Sequence, residues 1–458
     1  MPGWVSYLAL QASLADRNQL FYRKGYFEYV LPLIRVGVHL NYVFVEKRTL
    51  MLSRKRNQSS SEHKSDANTQ HVDEIPQPVK QTRTRDVLLL FFATRLMLVA
   101  ITCVGYILLT APKYSSTPVD TVTLFNVWNH WDAANYTRIA QYGYQARFDL
   151  AFFPLFPFLV FCISSLLGNW SYLFVGTLIS NGALLGVLFL LYQLAADIAG
   201  EQVARRTIVY LCIFPTAFFF FAAYNESLFL VFILGTFLAI RQQRWWLAGI
   251  LGFLAALTRS AGILLVLPYL YELWEAQKSI RATKKSVFFA ILPIIFIPLG
   301  VLVYSVYCWI TVGTPLAFIT IQDHSGRHLS WPWQGLWQGI TALLLTQPFG
   351  SANQAHLFLD LSATIGFLLL VVLGWRKLPV SYSLWTGLLL LYVLLDPAME
   401  KPDILLSNQR FVLEMFPAFI TLAALGVQHP RLHQTLAIVF PSLLATLSIL
   451  FIMNRWMV

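Results

Sequence analysis

The run from Val87 to Ala111 is apolar over the roughly 20 residues that a helix needs to cross a bilayer, and further runs of that kind follow it. Backbone inside lipid must satisfy its own hydrogen bonds, which leaves helices or a closed barrel. The runs here are continuous rather than alternating in polarity, and that excludes a barrel. Composition agrees: 57% of the 458 residues are hydrophobic and only 12% are charged, with mean hydropathy +0.60. The expected fold is an all-α polytopic membrane protein.

A net charge of +11 could point to nucleic acid, but the bases sit in short clusters between apolar runs, the pattern of cytoplasmic loops. No nucleic-acid partner is expected. Cys103, Cys162, Cys212 and Cys308 lie inside apolar runs without CxxC spacing, so they read as small buried hydrophobes.

Residues 1–86 read as an N-terminal cytoplasmic extension. Tyr29 to Val45 is apolar but short and broken by Arg35 and His39, which suits an interfacial helix better than a span. Arg54 to Arg85 is polar and rich in Ser, Gln, Asn, Lys and Pro, the composition of a disordered linker. Residues 87–458 form the membrane domain. Its basic clusters Arg205/Arg206, Arg241/Arg244, Lys278 to Lys285, Arg376/Lys377 and Arg431 fall on one, cytoplasmic, side under one assumption. Ala151 to Leu167 must not cross alone, in keeping with Phe153-Pro-Leu-Phe-Pro157, and Trp245 to Trp274 must cross as two short helices about Thr258-Arg-Ser-Ala-Gly262. Roughly ten to twelve transmembrane or half-spanning helices result, with interfacial helices on the outer face.

That topology gathers the polar chemistry on the non-cytoplasmic side: residues 112–149, Tyr224-Asn-Glu-Ser227, Arg259, Gly313 to Trp333, and Asp396 to Arg410. Read as a helix, the stretch from Trp128 places Trp128, Trp131, Asp132, Asn135, Tyr136 and Ile139 on one face. Trp and Tyr prefer the headgroup level. A carboxylate among them is poorly hydrated, which suits a general base. A capping or loop-tying Asp132 is the alternative. Arg259, between two apolar half-helices, needs a cavity or an anion. It could clamp a phosphate, or pair with Glu226 or another internal acid. Arg410 could do the same, or pair locally with Glu414 four residues on. Asn225, Gln322, His324 and Trp331 complete the candidate pocket.

Walker, GxGxxG, HExxH and GxSxG patterns are absent, so a soluble nucleotide cofactor is unsupported. A membrane-borne anionic lipid with a headgroup on phosphate fits better.

Trp131-Asp-Ala with Tyr136, Ala140, Gly143 and Tyr144, then Phe153-Pro-Leu-Phe-Pro157, resembles the first outer loop of the PIG-V family, GPI mannosyltransferase 2-like proteins of the GT-C glycosyltransferase architecture. Ser180-Asn181, Phe214-Pro-Thr, Tyr224-Asn-Glu-Ser227, Leu257-Thr-Arg-Ser260, Gly313-Thr-Pro-Leu-Ala-Phe318 and Arg410 before Phe416-Pro417 follow in order. The resemblance implies a GT-C-like bundle that moves a sugar, typically mannose, from a polyprenyl (dolichyl-type) phosphate donor to a lipid, glycan or protein acceptor on the non-cytoplasmic side. It maps the catalytic base to Asp132 and donor-phosphate contacts to Arg259 and Arg410. The first loop carries one acid and no DxD pair, so no divalent metal is indicated. Arg259-Ser-Ala-Gly and Gly-Thr-Pro315 depart from the family's Arg-Ser or Arg-Pro followed by Asn-Gly and from its common Gly-Asp-Pro. The membrane would be the endoplasmic reticulum in a eukaryote and the plasma membrane in a prokaryote. A lipid-sugar transporter and a non-catalytic scaffold of a glycosylation complex are the alternatives.

Overall fold

The computed structural model describes residues 79–110, 118–279, 284–322 and 326–455. The expected interfacial helix over Tyr29 to Val45, most of the polar linker, and His324 lie outside the described residues. Gln77–Val458 form one compact unit, and its described residues are helices and turns without a strand.

The first helix, α1, spans Val79–Thr110 and so begins inside the segment expected to be linker. No Gly or Pro follows Pro78 until Gly105, and Arg83 is drawn onto the helix bundle, donating from Nη2 to the Phe189 carbonyl at 2.7 Å. The first loop carries α2 (Thr121–Asn126) and α3 (Asp132–Tyr142), and leads through a 3-10 turn at Arg147–Ala151 into α4 (Leu155–Leu166). Then come α5 (Tyr172–Ala199), α6 (Glu201–Ile213), α7 (Glu226–Arg241), α8 (Trp245–Thr258) and α9 (Val266–Ser279). The chain continues with α10 (Lys284–Ile291), α11 (Phe296–Val312), α12 (Ala317–Thr320), α13 (Pro332–Thr341), α14 (Ala352–Gly374) and α15 (Val380–Leu394). It ends with α16 (Asn408–Phe411), α17 (Phe416–Gln428) and α18 (Pro430–Ile452).

Among the described residues, five helices are long and apolar enough to cross a membrane: Arg83–Thr110, Tyr172–Ala199, Phe288–Val312, Ala352–Gly374 and Pro430–Ile452. Asn408–Glu414 and Phe416–Gln428 together make a sixth, bent by 85°. The shorter apolar helices α4, α8 and α15 accompany them. At 1.5 Å per residue, the 12 residues of α4 reach about 18 Å, well short of a 30 Å hydrocarbon core. Ala151 to Leu167 therefore holds no full span, as the charge pattern requires.

The two-helix reading of Trp245 to Trp274 also matches the chain path. Helix α8 stops at Thr258, Arg259 is extended (φ −154°, ψ 144°), and a 3-10 turn at Ser260–Leu265 precedes α9. The turn folds Gly262 onto α8 so closely that a Cβ there would lie 2.5 Å from the Ala256 nitrogen. Only a residue without a side chain permits that contact, which is why the break ends in glycine. Backbone freed by the break finds a partner across the bundle, where buried Asn225 donates from Nδ2 to the Thr258 carbonyl at 3.0 Å.

The helix expected from Trp128 onward starts later, at Asp132. Trp131 ahead of it has φ 55°, a strained conformation for a non-glycine residue. As a result Trp128 leaves the expected face. It is a core side chain against Phe221 and Phe451, with its Nε1 donating to Thr102 Oγ1 at 3.2 Å. Burying that indole needed a hydroxyl in reach, and Thr102 on α1 supplies it.

Candidate active site

Helix ends define this site. Asp132 and Glu226 are first-turn acids of α3 and α7, and Glu414 lies just ahead of α17. Carboxylates at N-termini are favoured by the helix dipole, and so is a cation at a C-terminus, where Arg259 follows α8. The four residues therefore stand at positions that suit their charges before any pairing. Arg410, on the short α16, completes the group.

Pairing is dense. Arg259 Nη1 lies 2.5 Å from Glu414 Oε1 and 3.2 Å from Glu226 Oε1. Arg410 Nη1 donates to Asp132 Oδ2 at 2.6 Å, across 278 residues of sequence. Its Nε lies 3.0 Å from Glu226 Oε1, an ion pair without the alignment of a hydrogen bond. Three carboxylates thus surround two guanidiniums. Glu226 is fully buried and its Oε2 has no hydrogen-bond partner, so the cluster keeps an unfilled acceptor. Asp132 is the most open member, with 26% of its side chain exposed.

The supports explain why distant motifs matter. The turn bearing Arg410 opens on Ser407 with φ 67°, a second non-glycine residue in the left-handed region. Buried Asp360 accepts the Gln409 N–H at 2.8 Å, Thr216 Oγ1 donates to the Gln409 carbonyl at 2.7 Å, and Asn408 Nδ2 donates to Thr364 Oγ1 at 3.0 Å. On the other side, Ser180 and Asn181 donate to the carbonyls of Tyr224 and Phe221 at 2.6 and 3.0 Å, fixing the approach to Glu226. The Phe214-Pro-Thr and Ser-Asn motifs therefore act as backbone ties for the charged residues.

Each expected residue among those described has a definite place. Asp132, Glu226, Arg259 and Arg410 come together, and Asn225 ties the Arg259 break. Tyr136 is buried against Phe152, Phe156 and Tyr224, and belongs to an aromatic wall. Burial, then the Asp132 and Glu226 charges, push its phenol well above the ordinary value, so it stays neutral. Trp131 is 37% exposed beside Asp132, whereas Trp331 is an exposed ring stacked on Trp333 at 5.1 Å. Gln322 is half-buried and its carbonyl accepts the Arg327 N–H at 3.4 Å. The local Arg410–Glu414 pair does not form: α16 ends at Phe411 and a 3-10 turn at Val412–Glu414 follows, and Glu414 meets Arg259 instead. Sequence spacing could not find the Arg259–Glu414 pair, because it joins two helix breaks. Among the described residues, no three His, Cys, Asp or Glu side chains group as a metal site would need.

The far end of α3 is held separately. Arg138 makes a fork onto fully buried Asp149 at 2.6 and 3.0 Å, and Asp149 Oδ2 also accepts the N–H groups of Gln145 and Ala146, both at 2.9 Å. Burial alone would raise this carboxyl, but the Arg138 fork and the two backbone donors outweigh it and hold it below its usual range.

Taken together, these features define a polytopic helical membrane protein with a charged site assembled from helix ends. The profile of the family described as Mannosyltransferase (PIG-V) matches residues 32–324, and the chain belongs to that family. Asp132, Glu226 and Arg259 fall within the matched segment, whereas Arg410 and Glu414 lie beyond it. Among curated relatives, GPI alpha-1,6-mannosyltransferase 2 of Mus musculus is 32% identical over 148 residues, 30% of this chain and 29% of that protein. The Cricetulus griseus protein of the same name is 30% identical over 147 residues, 30% of each chain. The matched part therefore spans under a third of these relatives. Among solved structures, ArnT from Cupriavidus metallidurans bound to undecaprenyl phosphate aligns with TM-score 0.43 at 13% identity, over 75% of this chain and 62% of that one.

Proposed function

We propose that the protein is a membrane mannosyltransferase of the GT-C type. It would move mannose from a polyprenyl (dolichyl-type) phosphate to an acceptor hydroxyl on the non-cytoplasmic side, with inversion. Family membership supports the reaction class, and the distribution of basic clusters supports the side. The observation that carries the residue roles is the juxtaposition of Asp132 with Arg410, Glu226, Arg259 and Glu414. Asp132, the most open acid, takes the acceptor proton as the hydroxyl attacks the anomeric carbon. Arg410 and Arg259 stabilise the leaving polyprenyl phosphate, the electrostatic contribution that usually dominates such catalysis. To do so, Arg410 exchanges its contact with Asp132 for one with phosphate, and that exchange frees the base. The names of the rodent relatives make a GPI precursor the first acceptor to offer.

A second reading has its own support. Both arginines already meet carboxylates, as they would in a purely structural cluster inside a scaffold. Membranes carrying wild type or Asp132→Asn, given labelled polyprenyl-phosphate-mannose and several acceptors, separate the two. Transfer by wild type and its loss in the variant are expected. Equal transfer by both removes Asp132 from the mechanism, and no transfer by wild type favours the scaffold.

A further inference from the structure

The charged cluster has an imbalance. Its two arginines face three carboxylates, so it carries no free positive charge with which to attract an anion. A third guanidinium stands beside it. Arg327, in the segment between α12 and α13, lies with its Cζ 5.6 Å from the centre of the Phe411 ring. Arg259 and Arg410 lie 5.0 and 5.4 Å from the same ring. Three guanidiniums therefore share one aromatic side chain.

Arg327 differs from its two neighbours in what it touches. Its Nη1 donates to the Asp396 carbonyl at 3.0 Å and its Nη2 to the Leu406 carbonyl at 2.7 Å. These are neutral acceptors. The nearest carboxylate oxygen among the described residues, Asp396 Oδ2, is 3.9 Å away, and 40% of that side chain is exposed. Only 11% of the Arg327 side chain is exposed. Burial lowers its pKa from the usual arginine value, partly opposed by Asp396. Guanidinium nevertheless remains charged at neutral pH. A buried charge met mainly by carbonyl dipoles is costly. Carbonyls alone could be bridged by a neutral donor, so the positive charge itself needs a reason.

We propose that Arg327 is a third anion-receiving residue of this site, the guanidinium that first meets the lipid-borne phosphate of the donor, which Arg410 and Arg259 then stabilise as it leaves. The proposal rests on the polyprenyl-phosphate reading above and adds the contact that reading lacks. A phosphate seated against Arg327 lies on the Phe411 side of the cluster, from which Arg410 can turn away from Asp132 to join it. Planar, fork-shaped donors suit phosphate oxygens and hold their charge at any physiological pH.

The test uses the full-length chain in nanodiscs as wild type, Arg327→Gln and Arg327→Lys, each checked for monodispersity and thermal unfolding. Three probes are titrated: a polyprenyl monophosphate, the matching polyprenol, and inorganic phosphate. Arg327→Gln is expected to weaken monophosphate binding about ten- to a hundredfold, the range for hydrogen bonds to a charged group, and to leave polyprenol binding unchanged. Arg327→Lys keeps the charge without the fork and should lose several-fold less. If the glutamine variant fails to fold, the lysine variant carries the test with an intermediate loss expected. Unchanged monophosphate binding in a folded variant overturns the proposal, as does an equal loss for polyprenol. Inorganic phosphate binding as tightly as the lipid overturns the lipid-borne assignment. Mannosyl transfer is measured alongside. A wild type that transfers mannose, with no Arg327-dependent monophosphate binding, sinks the role of Arg327 alone. A wild type that binds monophosphate through Arg327 but transfers nothing sinks the transferase reading alone.

Discussion

An aspartate–arginine pair holds each end of α3, with Asp132 on the helix at one end and Arg138 on the helix at the other, bound to Asp149 in the following 3-10 turn, yet the two pairs are built differently. At the C-terminal end, Asp149 is fully buried, its arginine is 11 residues away, and both oxygens are used by the Arg138 fork and two backbone N–H groups. At the N-terminal end, Asp132 is partly exposed and has one short contact with an arginine 278 residues away. The neighbouring Glu226 keeps an oxygen without a hydrogen bond. A saturated, local pair is a latch, because opening it strands a buried charge. An under-coordinated, long-range pair can exchange partners, as chemistry requires. Both flank a helix whose middle, at Tyr136, packs into an aromatic wall.

Substitutions can break that contrast. The largest effect is expected from Asp132→Asn, with mannosyl transfer falling about a hundred- to ten-thousandfold, the usual range for a general base. Its stability should fall by only about 1 kcal/mol, because Glu226 continues to pair Arg410. Asp149→Asn should do the reverse. Unfolding in detergent is expected to show a loss of about 2–3 kcal/mol, discounted from a fully buried pair because Arg138 is 38% exposed. The fraction that remains folded should still transfer mannose. If Asp149→Asn abolishes transfer without destabilising the protein, the division into latch and site is wrong.

Gly262→Ala probes the scaffold between the two arginines. The added methyl meets α8 backbone at 2.5 Å, and overpacking of that kind costs about 1–3 kcal/mol. The Arg259 break has to shift, so lower thermal stability and reduced transfer should appear together. The smallest effect concerns acid. Asp149 has a folded-state pKa below its unfolded value, so its contribution is present above about pH 4 and is lost as pH falls through the folded value. Wild type and Asp149→Asn should therefore converge in melting temperature as pH drops below about 4. A gap that stays constant would mean that packing, rather than charge, makes the latch.

Much of the fold was legible because it follows from local chemistry. Continuous apolar runs dictated helices, Phe153-Pro-Leu-Phe-Pro157 kept the next helix short, and Thr258-Arg-Ser-Ala-Gly262 marked the break. Local spacing misled in two places. It read a helix from Trp128 when strain at Trp131 delays the start to Asp132, and it paired Arg410 with Glu414 although the α-helix gives way to a 3-10 turn at Val412–Glu414, which breaks their i,i+4 register. Arg327 stood in a quoted segment, but nothing in the linear pattern distinguished it from a loop base.

By itself, the sequence determined a helical membrane chain, the breaks at which polar residues could sit, and a motif set resembling the PIG-V family. Those properties depend on periodicity, residue type and neighbours within a turn or two. Partner choice among the charges was decided only by tertiary structure. The attraction between Asp132 and Arg410, or Arg259 and Glu414, depends on distance in space and exclusion of water, and sequence separation sets neither. Of the three arginines around Phe411, the fold also decided which two are neutralised by carboxylates and which one meets only carbonyls at hydrogen-bonding distance.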